Sequence, residues 1–86
     1  MPNPVVEARM QLGLTRPELA RGSGVAYDAA YRTEVGLVNA PHRRIVQFLV
    51  AAGFAREDLL KRYADYRQSA ADDLRRRAMS QKVHEM

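Results

Sequence analysis

The segment from Leu14 to Gly36, LTRPELARGSGVAYDAAYRTEVG, restricts this chain to short helices joined by tight turns. Thr15 stands three residues before Glu18, the spacing at which a hydroxyl and a carboxylate each satisfy an orphan amide at a helix start. A helix therefore begins near Arg16, with Leu19 and Ala20 on its apolar side. Gly22, Ser23 and Gly24 end it near Arg21, because glycine favours the left-handed backbone of helix ends and costs about 1 kcal/mol inside one. Val25 then points inward, and a further helix covers about Tyr27 to Val35 until Gly36 stops it.

The flanking sequence extends the same pattern. Pro4 suits the first turn of a helix running to about Leu12, with Val5, Val6, Arg9 and Met10 on one face. Gly13 ends that helix and Leu14 drops into the core. After the loop GLVNAP, Pro41 or His42 opens a helix whose apolar residues Ile45, Phe48, Leu49 and Ala52 recur at helical spacing, and Gly53 closes it. Phe54 packs inward, and Glu57 and Asp58 place carboxylates in the first turn of the last helix, where the helix dipole favours them.

From Arg56 to Met79 there is neither glycine nor proline. Leu60, Tyr63, Arg67, Ala70 and Leu74 recur at alternating spacings of three and four, the pattern of a paired-helix seam. Two readings stay open for it: a seam between two copies, or a helix that folds back over its own domain. The expected organisation is a domain over residues 1–60, an extension of the last helix over 61–80 that serves dimerisation, and a disordered tail over 81–86.

Composition removes several function classes. A chain of 86 residues holds one small domain, and the absence of cysteine excludes disulfides, thiolate metal sites and thiol catalysis. No apolar run reaches the roughly 18 residues of a membrane span, and the first residues lack the pattern of a signal peptide, so the expectation is a cytoplasmic protein away from membranes. Neither His42 nor His84 stands in a metal-ligand spacing, and Gly22-Ser23-Gly24 lacks the lysine of a phosphate loop. Asp72-Asp73 beside Arg75-Arg76-Arg77 reads as a solvated, self-compensating helix face. No catalytic residue, metal or cofactor is expected.

The net charge is +4 with a pI near 10.0, and every basic residue except Lys61 and Lys82 is arginine. A guanidinium fork donates two hydrogen bonds at once, which fits phosphate and base recognition; a GC-rich coding sequence would give the same bias. The charge is not a tail: six basic and four acidic residues precede Ala51, and eight and six follow from it.

Two short helices with a glycine-containing turn make the helix-turn-helix pattern. Residues 4 to 60, through Arg9, Gly13-Leu14-Thr15, Glu18-Leu19-Ala20, Gly24-Val25, Glu34, Gly36, Pro41 and Gly53, resemble the XRE-like helix-turn-helix family of Cro-type repressors. The resemblance implies an all-α, five-helix, lambda-repressor-like domain, here with an extended C-terminal helix. It also implies that the second motif helix enters the major groove with its first residues at base edges. In this chain those are Tyr27, Asp28 and Arg32, flanked by Tyr31. Arg32 would fork onto guanine, Asp28 would accept from the cytosine amino group, and Tyr27 would meet a thymine methyl or a phosphate. Asp28 could equally complement the helix dipole, and Tyr31 could belong to the core or a dimer surface.

By the same resemblance Arg16 contacts a phosphate, and Arg9 and Glu34 form a structural ion pair. Two departures stand out: Ala26 lacks the usual capping oxygen, and Leu37, Val38, Asn39 and Ala40 occupy a loop where such repressors often carry Lys or Arg. His42, Arg43 and Arg44 must then supply the remaining phosphate contacts. The function implied is a dimeric repressor on a palindromic operator in double-stranded DNA. Alternatives are an autoregulatory antitoxin that holds a toxin, as its protein partner, through the long C-terminal helix, or a protein-interaction module that does not bind DNA.

Overall fold

The computed structural model describes residues 1–84, with Glu85 and Met86 outside the described residues. Five helices follow in order: α1 (Pro4–Gln11), α2 (Arg16–Ser23), α3 (Tyr27–Glu34), α4 (Arg43–Ala51) and α5 (Arg56–His84). The described residues contain no strand, so the domain is all-α.

Local chemistry sets the starts. The Asn3 side chain accepts from the Val5 amide at 2.9 Å and caps α1 just ahead of Pro4. At α2 the capping box forms: the Thr15 amide donates to Glu18 Oε1 at 2.9 Å and Thr15 Oγ1 accepts from the Glu18 amide at 3.3 Å. That amide hydrogen bond holds the Glu18 carboxyl below its ordinary value.

Helix α2 runs past Arg21 to Ser23, and the stop is Gly24 alone, left-handed at φ 72°. Gly22 stays helical because it is a contact point: a Cβ there would lie 2.8 Å from the Phe48 ring of α4. The missing side chain lets α2 and α4 approach closely, which outweighs its poor helix propensity.

The core gathers Val5, Ala8, Leu19, Ala20, Ala30, Ile45, Leu49, Leu59 and Tyr63. Helix α1 is rotated from the expected face: Pro4, Val5 and Ala8 are buried, whereas Met10 is exposed and Val6 only partly covered. Leu14 is half-buried outside the core, its carbonyl accepting from Arg9 Nη1 at 2.9 Å. In α4, Val46 is buried and Ala52 is an exposed C-cap.

Helix α5 revises three expectations. It is one uninterrupted helix through His84, so residues 81–84 of the expected disordered tail continue the helix, while Glu85 and Met86 lie outside the described residues. Packing does not end at residue 60 either, since Tyr63, Tyr66 and Arg67 all reach the end of α3. Tyr63 is fully buried and its hydroxyl donates to the Thr33 carbonyl at 2.8 Å, which makes it a core residue and removes it from the seam. Arg67 is likewise spent on its own chain, donating to the Gly36 carbonyl at 3.1 Å and to Asn39 Oδ1 at 3.1 Å. Of the seam residues, Leu60, Ala70 and Leu74 remain exposed. Ala70 and Leu74 still border Val35 and Gly36 across a notch, and beyond Leu74 the helix projects from the domain, giving overall dimensions of 52 × 24 × 21 Å.

Burial raises the Tyr63 phenol above its ordinary value of 10.0. A raised folded-state value stabilises the protein below the unfolded value and is lost as pH rises through the folded one. Tyr63→Phe should therefore cost about 1 kcal/mol near pH 8. Urea midpoints of the parent chain should then fall towards those of the variant as pH climbs past about 10.

Candidate nucleic-acid interface

Helix α3 divides into two faces. Ala30, Thr33 and Glu34 are buried, while Tyr27, Asp28, Tyr31 and Arg32 point outward, Tyr27 half and Tyr31 two-fifths exposed at 50% and 40%. The residues expected to meet bases thus share one open face. Ala26 caps α3 without a side-chain hydrogen bond, and Asp28 supplies a negative charge to the first turn.

Asp28 and Arg32 engage each other: Arg32 Nε donates to Asp28 Oδ2 at 2.9 Å. Both side chains are mostly exposed, so the pair adds under about 1 kcal/mol to stability. Its effect is geometric. The bond uses Nε, and the terminal nitrogens of Arg32 make no other hydrogen bond among the described residues.

The buried face is held by charge. Glu34 has a side chain with 0% exposure and accepts from two arginines, Arg9 Nε to Oε2 at 2.8 Å and Arg16 Nε to Oε1 at 3.1 Å. Arg16, expected to contact a phosphate, is thereby tied to α3, and its guanidinium lies over the Tyr31 ring at 5.2 Å from the centroid. The neighbouring Tyr27 phenol and Glu34 raise the Arg16 guanidinium above its ordinary value, so it is a fixed cation under the outer face.

Three side chains not expected at this site complete the support of α3. Its end exposes carbonyls that no further turn can satisfy. Asn3 Nδ2 donates to the carbonyls of Thr33 at 3.1 Å and Glu34 at 2.9 Å, Tyr63 also reaches Thr33, and Arg67 takes Gly36. Asn3 before Pro4 is readable as a helix cap, but its amide end acts 30 residues away. Gly36 is left-handed at φ 80°, and a Cβ there would sit 2.8 Å from the Tyr66 ring.

The start of α4 borders the open face. His42 caps it through Nδ1, which accepts from the Arg44 amide at 3.1 Å, so the ring proton of the neutral form is on Nε2. Thr33 Oγ1 accepts from the His42 amide at 3.3 Å. Arg44 Nη1 donates to the Gly24 carbonyl at 3.1 Å and clasps the α2–α3 turn, whereas Arg43 is exposed and unbonded among the described residues. A notch of about 410 Å³ brings His42 opposite Asp28 and Arg32, with Ala29, Val38 and Ala40 in its wall. Leu37 is exposed in the adjoining loop, which carries no cation between Gly36 and Pro41. Among the described residues no group of three or more His, Cys, Asp or Glu is placed to hold a metal, and no helix is long and apolar enough to cross a membrane.

No protein-family model matches the chain, and neither the curated proteins nor the solved structures contain a significant match to it.

The buried carboxylate gives a direct test of what orients α3. Glu34→Ala strands Arg9 and Arg16 and should lower unfolding stability by about 3 kcal/mol, read from urea denaturation. An unchanged midpoint would mean that the two ion pairs contribute nothing net.

Proposed function

We propose that this chain is a sequence-specific DNA-binding protein of the lambda-repressor-like helix-turn-helix type, acting on transcription as a dimer at a palindromic operator. Helix α3 is the recognition helix. The observation that carries the reading is the division of α3 into a buried face fixed by Glu34 and an open face presenting Tyr27, Asp28, Tyr31 and Arg32. A helix that must read base edges needs both a fixed axis and outward donors.

Within this reading the roles differ by residue. Arg32 is the base reader, since its terminal nitrogens can fork onto guanine while Asp28 holds Nε. Asp28 is a positioning residue. Tyr27 and Tyr31 flank the contact, and Arg16 stiffens Tyr31 from below. Phosphates fall to Arg43 and to the outward nitrogen of His42, with Arg44 holding the turn.

A second reading is favoured by one observation, the loop without cations beside two exposed tyrosines, which suits a protein partner. Salt separates the two. Electrostatic DNA binding weakens steeply as salt rises, and a protein-binding module shows no shift with any DNA.

Selection of bound sequences from a random duplex pool should return a palindrome. On the selected site Arg32→Ala should lose about 1 to 3 kcal/mol of binding while keeping its affinity for scrambled DNA. Arg43→Ala should weaken both and reduce the salt slope by about one unit. Equal loss on both sequences for Arg32→Ala would assign base readout to the tyrosines instead.

A further inference from the structure

The loop between α3 and α4 is tied down at both ends. Arg67 of α5 donates to the Gly36 carbonyl and to Asn39 Oδ1, each at 3.1 Å, and the His42 amide donates to Thr33 Oγ1 at 3.3 Å. Pro41 is buried and Val38 packs against the core. Leu37 to Ala40, none of them charged, are thereby fixed beside α3.

Val38 and Ala40 form, with Ala29, the apolar wall of the notch of about 410 Å³. Asp28 and Arg32 border it on α3, and His42 borders it at the start of α4. Under the reading above, a base reader, an apolar hollow and a phosphate contact follow one another across this surface. A phosphate gains nothing in the hollow, because the loop carries no cation and an anion against apolar groups loses its hydration.

The major groove presents its groups in a matching order. Thymine is the base that shows an apolar group there, its ring methyl, and on the edge of a T·A pair that methyl is the group nearest its own strand's backbone. From the groove floor towards one strand, a protein surface therefore meets base acceptors, then a methyl wherever the pyrimidine is thymine, then phosphate.

We infer that the notch receives a thymine methyl, on the strand whose phosphates meet His42 and Arg43. The pair that Arg32 reads has cytosine as its pyrimidine, so the methyl belongs to the neighbouring pair. It enters with the ring edge behind it and the adjoining sugar, which an opening of this size accommodates. Ala29, Val38 and Ala40 are then specificity-determining residues. The uncharged loop reads sequence by shape, where a lysine would read only the charge of the backbone.

This inference rests on the DNA-binding reading, and its test separates the two. The site selected from the random pool is made again with each thymine in turn replaced by uracil, which keeps every base-edge hydrogen bond and removes only the methyl. At the thymine beside the guanine, in each half-site, the parent chain should bind the uracil duplex about four-fold more weakly, the effect of burying one methyl. Val38→Thr keeps the shape of valine, and Ala40→Ser adds one oxygen at an exposed position. Combined, they make the wall polar and should reduce this thymine-to-uracil ratio below about two-fold. The combined variant should keep the parent's affinity for the uracil duplex, which a misfolded chain could not do. A chain that binds no duplex at all removes the DNA-binding reading and this inference with it. Binding to a selected site that has no thymine beside the guanine, that tolerates uracil at every thymine, or that shows the same ratio in parent and variant keeps the reading and overturns the methyl contact.

Discussion

A carboxylate with no exposed surface fixes the arrangement of the first three helices. Glu34 gives one oxygen to Arg9 of α1 and the other to Arg16 of α2, so the end of α3 is joined to both by charge-assisted bonds. Such pairs contribute little net energy over an apolar core of the same shape, because desolvation consumes most of the Coulombic gain. Leucine at position 34 would fill space but would not select one orientation of α3. Two guanidinium groups at about 3 Å do select it.

The carbonyls at the end of α3 add a second, independent restraint. Asn3, Tyr63 and Arg67 come from the beginning and the later part of the chain to accept that task. The helix is therefore held from its inner face and its C-terminal end, and among the described residues Tyr27, Asp28, Tyr31 and Arg32 stay exposed on its outer face. This division between a rigid support and an open surface is what the proposed readout requires, since an arginine on a mobile helix would spend its binding energy on being ordered.

Much of the architecture is legible in the sequence because its signals are local. Thr15 and Glu18 lie within one turn of each other, and Gly24, Gly36 and Gly53 take up the left-handed backbone that follows a helix end. The outward set Tyr27, Asp28, Tyr31 and Arg32 follows from helical spacing once α3 is placed. What sequence leaves hidden is tertiary. Gly22 resembles a stop until Phe48 is seen against it, and Arg16 resembles a free cation until Glu34 is found beneath it. Tyr63 shares a spacing with Leu60 and Ala70, and spacing alone does not tell a core contact from a seam. The rotation of α1 towards Ala8 escapes notice for a similar reason, because an alanine gives a faint apolar signal beside Met10 and Val6.

The continuity of α5 has a consequence for how the molecule keeps angular register. The same helix carries Tyr63 and Arg67, which grip α3, and further along Leu74, with no break between them. A straight helix behaves as a screw: each added residue advances it by about 1.5 Å and turns it by about 100°. The direction in which Leu74 points is therefore locked in phase to the direction in which Arg32 points. One residue inserted between Arg67 and Ala70 would swing the outer leucine about a quarter turn away from its face, whereas seven would nearly restore it and displace it by about 10 Å. The length of this segment is free to vary only in steps that preserve the phase.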